Sequence, residues 1–272
     1  MTDVVERTEL LLPGPAEALS GLLGVSLPDL DKGLPLLWHW IYLLERPAQA
    51  DLGPDGHPIR NTVPEPPGPG RRRMWAGGRV RARGALVCGE PATKRTKVLT
   101  TQEKQGHSGA LTFVVVGHQI LQGDRIVVDE RQDIAYRDAV GPRGQSSEPG
   151  QDAKVPPAED EWAIDTSPTL LFRYSALTYN GHRIHYDRDY ARDVEGYPGL
   201  LVHGPLQALA MAEAARARGY SGDQVFDYRL RSPLFDHQGL VVSATPRDGA
   251  LVTVARDDFG RRTATGTLHL AD

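Results

Sequence analysis

Two textures of hydrophobic and polar positions alternate along this chain. Short runs in which apolar and polar residues alternate, bounded by turn residues, predict half-buried strands. In the first half these are "RVRARGALV", "TKVLTTQEKQ", "ALTFVVVGHQI" and "RIVVDERQDIAY", with "LQGD" as a hairpin turn between the last two. In the second half "TLLFRYSALTY" reads as a β-branched and aromatic strand, and "QVFDYRLRSP", "GLVVSATP", "ALVTVARD" and "RRTATGTLHLA" as four more. Denser apolar runs predict helices. "PLLWHWIYLL", Pro35 to Leu44, is apolar and aromatic enough for a buried helix, although periodicity alone also allows a strand. "PLQALAMAEAARARG" has Pro205 near its first position, two arginines in its last turn and Gly219 as a stop, which are the signals of a complete helix.

These elements fall on either side of "GPRGQSSEPGQDAKVPPAEDE", whose lack of large apolar residues cannot offset the entropy of ordering. The expected organisation is therefore an N-terminal half over 1–140, a linker over 141–163 and a C-terminal half over 164–272, each half an α+β unit. "LGPDGHPIRNTVPEPPGPG" is expected to be a long loop inside the first half. No residue-level repeat is evident, only a repeated order of elements.

Composition narrows the function. Acids outnumber Lys and Arg by 35 to 31, so no chain-wide positive field exists to attract nucleic acid. The single cysteine, Cys88, excludes an internal disulfide framework and multi-cysteine metal sites, and is expected to be a small buried hydrophobe. The N-terminus has early acids and only a short leucine run, unlike a secretory signal, and no stretch reaches the ~20 apolar residues of a membrane span. A soluble, cytoplasmic protein that binds neither nucleic acid nor membrane is expected.

The chemistry concentrates in "TYNGHRIHYD", Thr178 to Asp187, placed at the end of the "TLLFRYSALTY" element. Imidazole moves protons near neutral pH, and a carboxamide five positions before His185 can hold a water or a substrate oxygen. A metal reading needs three or four ligands. Strand alternation would send His182 and His185 to opposite faces, so no metal is expected. Further on, "YPGLLVHGPLQALA" ends an apolar run in His203-Gly204-Pro205 at a helix start, where free amides and the helix dipole can polarise a carbonyl. Taken alone, each feature also has an ordinary structural reading. Trp38 and Trp40 read as core, and His39, His57, His107, His118, His237 and His269 have no neighbours in sequence that support a role.

Together, "NGHRIHYD" and "LLVHG" resemble the MaoC-like hydratase/dehydratase family, whose signature is roughly Asp-x-Asn-Pro-x-His-x-Asp followed by an apolar run ending in His-Gly. With "LWHW", "LGPDGHP", "RRMWAGG" and "YPGLLVHGPLQ", the resemblance extends over nearly the whole chain. It is closest to the subgroup of type 2 hydroxyacyl-thioester dehydratases and mesaconyl-C4-CoA or itaconyl-CoA hydratases. The resemblance implies a double hot dog, two antiparallel sheets each wrapping a central helix, with a non-catalytic N-terminal half that helps to form the acyl tunnel. It implies reversible hydration of an enoyl thioester, with Asn180 and His185 catalytic. Asn180 stands where the family has an Asp, and an Asn cannot take up a proton as a carboxylate does, so the acid–base work would fall mainly on His185.

Gly204 would polarise the thioester carbonyl, and His203, Gly199, Arg73, Trp75 and Arg183 are the further expected substrate contacts. The Arg71–Arg73 cluster suits coenzyme A phosphates or a substrate carboxylate, and Asp187 is a candidate to orient His185. No cofactor is expected beyond the coenzyme A or phosphopantetheine of the substrate itself. The expected partner is an acyl-CoA or acyl-carrier-protein thioester, with a homodimer left open. A hot-dog thioesterase and a non-catalytic thioester-binding protein are the alternatives.

Overall fold

The alternating segments pair into one antiparallel sheet. In a computed structural model, which describes residues 4–68, 71–106, 109–138 and 153–270, the strands are β1 Val5–Leu10, β2 Arg71–Ala82, β3 Pro91–Gly106, β4 Gly109–Gln122, β5 Arg125–Asp138, β6 Trp162–Ile164, β7 Gln224–Leu230, β8 Leu240–Arg247, β9 Ala250–Arg256 and β10 Arg262–Leu270. The helices are α1 Pro13–Leu23, α2 Pro168–Leu177 and α3 Gly204–Ala217. The sheet has ten strands in the order β1-β3-β4-β5-β2-β7-β10-β9-β8-β6. Its two halves carry the same topology in mirror sequence about the β2–β7 seam, where Gly78 pairs with Tyr228 and Val80 with Phe226. This repeated order of elements is the α+β double hot dog implied by the resemblance. Among the described residues no helix is long and apolar enough to cross a membrane.

Helix α3 is the central helix of the C-terminal half. Its alanines Ala208, Ala210, Ala212 and Ala215 are buried, and their small side chains let it lie close on β8, β9 and β10. Leu206, Leu209 and Met211 are at most 1 % exposed, each stabilising the fold by roughly 1.5–3 kcal/mol. Gly219, at φ 86°, ends the helix as its sequence predicts.

Two segments differ from their expected form. "TLLFRYSALTY" is the helix α2, not a strand: Ser167 accepts a hydrogen bond from Leu170 N and Pro168 occupies the first turn, so start signals outweigh β propensity. "PLLWHWIYLL" forms only a single 3₁₀ turn, Trp38–Ile41, bracketed by Leu37 and Leu43 in left-handed conformations, rather than a buried helix. Trp38 is nonetheless fully buried, donating from Nε1 to Glu213 of α3 at 2.7 Å. A single turn cannot fill the space that α3 fills in the other half. The part of the proposed linker at 141–152 lies outside the described residues. From Val155 onward the chain is fastened to the C-terminal half, with Arg256 donating to Val155 O, Pro156 O and Glu161.

Candidate active site

The Asn/His loop follows a helix and not a strand. Thr178 closes α2 by donating to Tyr174 O at 2.8 Å, Tyr179 turns the chain at φ 52°, and Asn180 N donates back to Ser175 O. Asn180 Oδ1 then accepts His182 N–H at 3.0 Å, and a 3₁₀ turn spans Arg183–His185. Three residues per turn bring His182 and His185 to one face, their ring centroids 5.4 Å apart. The strand-based expectation of opposite faces is thereby corrected.

His185 is buried, and its Nδ1 lies 2.7 Å from Leu201 O. A carbonyl only accepts, so Nδ1 carries the proton and Nε2 is left as a free base. Burial pushes the His185 pKa down to about 4, against the opposing pull of the Leu201 carbonyl. The ring stacks on His203 at 3.6 Å and 18°. His203 is fully buried, pairs with Ser175 Oγ at 2.9 Å and is held well below its usual pKa by burial. On the other side His182 overlaps His57 of the N-terminal half at 3.9 Å. Both are held neutral by burial, with Arg73 adding to the depression. Four imidazoles thus form one row, His57–His182–His185–His203.

The loop carrying His57 docks directly on this site. Arg183 N donates to Asp55 O, and an added Cβ on Gly56 would lie 1.9 Å from Gly181 O. Gly56 also has φ 85°, where side chains are strained. Gly56→Ala is accordingly expected to cost about 2 kcal/mol or more and to lower turnover as the loop is pushed off. Thermal unfolding and turnover measured on one preparation check this, and an unchanged pair would contradict the docking role.

Gly204 opens α3 and lines the cavity with its backbone, having no side chain to interpose. First-turn amides lack intrahelical partners, and Pro205 has none to give. No acid sits in the first turn and no side chain caps it, so the positive end of the helix is uncompensated.

The other expected contacts divide. Arg73 lines the cavity and, among the described residues, has no acidic partner. Its neighbours are engaged, Arg72 with Glu195 at 3.2 Å and Arg71 with Thr112 at 2.8 Å. All three lie on β2. Trp75 lines the cavity and donates to Tyr228 Oη at 3.0 Å, making it a fixed wall. Arg183 also faces the cavity, but Asp187 takes its Nε and Nη2 and Tyr190 lies under its guanidinium at 4.1 Å, so its charge is already used. The same pairing, with Tyr190 N–H, removes Asp187 as a partner of His185. Gly199 and His203 do not line the cavity. Gly199 is a packing glycine against Asp236 and His237, and His203 backs His185.

Asp55, His57 and Gln207 escaped the sequence reading. The motif "LGPDGHP" was the available signal for the first two, and for Gln207, whose buried Oε1 has no hydrogen-bond partner among the described residues, the signal was its place one turn into α3. Asp55, His57 and His182 also place one ligand atom each within 4.8 Å of one another and are the residues that could hold a metal ion. The rings of His57 and His182 meet at 3.9 Å, tilted by 36° to one another.

All these groups open onto a cavity of about 1920 Å³ that continues into the N-terminal half, where the 3₁₀ turn leaves room. Its far wall is polar: Lys94, His118, Glu130 and Gln132 line it, with Phe113 and Ala135. Burial raises the pKa of Glu130, but hydrogen bonds and charge from His39 and His118 outweigh it, and the net value is lowered to about 2. His39 and Trp40 are hydrogen-bonded to that carboxylate at 2.9 Å each. Trp40 is thus part of the cavity wall as well as of the core.

Comparison with known proteins identifies the family and the fold. The sequence profile of the hydroxyacyl-thioester dehydratase type 2 family matches residues 37–236. The chain is 41% identical over 245 residues to mesaconyl-C(4)-CoA hydratase of Chloroflexus aurantiacus, covering 89% of this chain and 86% of that protein. Among solved structures, HtdX of Mycobacterium tuberculosis superposes with a TM-score of 0.70 at 15% identity, covering 99% of this chain and all of that one. Another M. tuberculosis protein, described as having a double hot-dog fold, reaches 0.55 at 16% identity, over 98% and 94% of the two chains.

Proposed function

The chain belongs to the hydroxyacyl-thioester dehydratase type 2 family, and from that premise we propose that it is a hydro-lyase that adds water across the 2,3 double bond of an enoyl thioester and removes it from a 3-hydroxyacyl thioester. The observation that carries this reading is the state of His185: buried, neutral, fixed at Nδ1 by Leu201 O and therefore unprotonated at Nε2, ready to accept a proton beside the α3 N-terminus.

The proposed steps use the chain's own groups. The thioester oxygen accepts from the Gly204 amide at the positive end of α3, which withdraws electrons from C3 and stabilises the enolate that forms. His185 Nε2 takes a proton from water as its oxygen bonds C3, then returns a proton to C2. Asn180, whose Oδ1 is occupied, offers its amide N–H to the water oxygen. Coenzyme A or phosphopantetheine enters as part of the substrate. Purified protein given crotonyl-CoA is expected to remove the enoyl absorbance without releasing free thiol. Thiol release would instead mark a thioesterase, and tight binding without either change a binding protein.

For the acyl group, a short carboxylate-bearing chain such as a C4-dicarboxylyl thioester fits best. Arg73 is a cation in the cavity without an acidic partner among the described residues, and the polar far wall does not suit a long alkyl chain. The relative from C. aurantiacus is named for such a substrate. Arg73→Gln is expected to raise KM for mesaconyl-CoA at least tenfold and to leave KM for uncharged crotonyl-CoA within about twofold. Equal effects on both would contradict the assignment.

A further inference from the structure

Hydration uses one water with two O–H bonds. One proton is removed as the oxygen bonds C3; the other stays on the new hydroxyl and needs an acceptor if the water is to be held in line. His185 Nε2 accepts the first. Asn180 is poorly disposed to accept the second, because its Oδ1 already takes His182 N–H at 3.0 Å and its amide nitrogen only donates. Asp187, the nearest carboxylate in sequence, is occupied by Arg183 and by the amide of Tyr190.

His182 remains. It is 8 % exposed, lines the cavity, and among the described residues its ring nitrogens have no hydrogen-bond partner. Its neighbours fix it from two sides, His185 edge-on at 5.4 Å and His57 in a tilted contact at 3.9 Å and 36°. Behind His57 stands Asp55, with Oδ2 3.4 Å from His57 Nδ1 and Oδ1 accepting His57 N–H at 3.0 Å. Burial raises the Asp55 pKa, but the His57 contacts outweigh this and the net value is lowered, so the carboxylate is ionised at neutral pH. The ionised carboxylate lies beside Nδ1 without completing a hydrogen bond to it and favours the Nδ1–H tautomer electrostatically, while its bond to the His57 backbone N–H holds the residue that packs against His182.

We propose that His182 is the second group on the reacting water, accepting the hydrogen bond of the O–H that is retained, and that Asp55 and His57 of the N-terminal half position it. The active site is then composite, and the N-terminal half is more than a tunnel wall. This rests on the hydratase reading above. In the forward step the water O–H facing His185 breaks, its oxygen bonds C3, and the π pair moves onto the thioester as an enolate. His185 then returns the proton to C2, and His182 takes up no net proton. In the reverse direction His182 receives the departing hydroxyl as it becomes water.

The test compares His182→Phe, which keeps a ring but removes both nitrogens, with Asp55→Asn and Asp55→Glu in the full chain. The readouts are kcat and KM for crotonyl-CoA, affinity for unreactive butyryl-CoA, and unfolding temperature. His182→Phe is expected to lower kcat by about 10–100-fold with KM and butyryl-CoA affinity within about twofold. Asp55→Asn is expected to lower kcat about five- to tenfold and Asp55→Glu to recover at least half of the loss. A kcat within twofold of wild type for His182→Phe overturns the proposal. Should that variant fail to fold, an unaltered kcat for Asp55→Asn overturns it instead. His185→Gln assayed in parallel separates the two readings: an inert His185→Gln beside a fully active His182→Phe removes this inference and keeps the hydratase, whereas wild-type protein without hydration activity removes both.

Discussion

His185→Gln is expected to lower turnover by about 10²–10⁴-fold, the usual contribution of a positioned general base, without unfolding the protein. Glutamine is the informative replacement. Its amide can still donate to Leu201 O, the bond that His185 Nδ1 makes at 2.7 Å, so the link between the loop and the approach to α3 survives. What it lacks is a basic nitrogen at the position of Nε2. The loss should therefore fall on kcat, with KM for the enoyl thioester little changed, because the Gly204 amide and the cavity walls that hold the ground state are untouched. His185→Ala should remove hydration as fully but also leave a gap beside His203, which stacks on the ring at 3.6 Å, and so cost stability too. Undiminished turnover in His185→Gln, or a change in KM alone, would reject His185 as the base.

Mild acid is expected to unfold this protein well before its carboxylates titrate. His57, His182, His185 and His203 all have pKa values lowered chiefly by burial. For each, the unfolded chain binds a proton more readily than the folded one, so stability rises with pH across that window. It is complete above an unfolded pKa near 6.5 and is lost as the pH falls from there through the folded values. His185 alone, lowered from 6.5 to about 4, accounts for on the order of 3 kcal/mol across that interval. Because the rings are in contact, charging one raises the cost of charging the next, so the folded row resists protonation and acid is taken up chiefly by the unfolded chain. Glu130, lowered to about 2, adds a second loss of the same sign at lower pH. Denaturant unfolding at pH 7.5, 6.0 and 5.0 should show the midpoint falling steeply, and His182→Phe should flatten the dependence. A midpoint constant over this range would mean that the rings are not buried and neutral as described.

Local patterns made most of the C-terminal half legible. The four strands β7 to β10 and the helix α3, with its Pro205 start and Gly219 stop, follow directly from alternation and capping. Errors arose where local signals conflicted. The Thr, Phe and Tyr of "TLLFRYSALTY" suggested a strand, whereas Ser167 and Pro168 just upstream specify the first turn of α2. "PLLWHWIYLL" carries the apolar content of a helix but is shaped by distant partners, Glu213 for Trp38 and Glu130 for His39 and Trp40. The candidate site was readable only along the chain. Asn180, His185 and Gly204 lie close enough in sequence to be seen as one pattern, while His57 reaches His182 only because Gly56 lets a loop of the other half approach Gly181. Arg183 was lost to a local pairing: the helical turn of this loop, which a strand reading does not allow, sets Asp187 four positions on against its guanidinium.

The claim that a helix-tip amide and an imidazole act together on one thioester is tested most directly by a crystal structure with an unreactive saturated acyl-CoA. The expected result places the thioester oxygen about 3 Å from Gly204 N and C3 within about 4 Å of His185 Nε2, with the acyl end directed toward Arg73. A thioester bound away from the start of α3, or held there with its C3 beyond reach of His185, would contradict it.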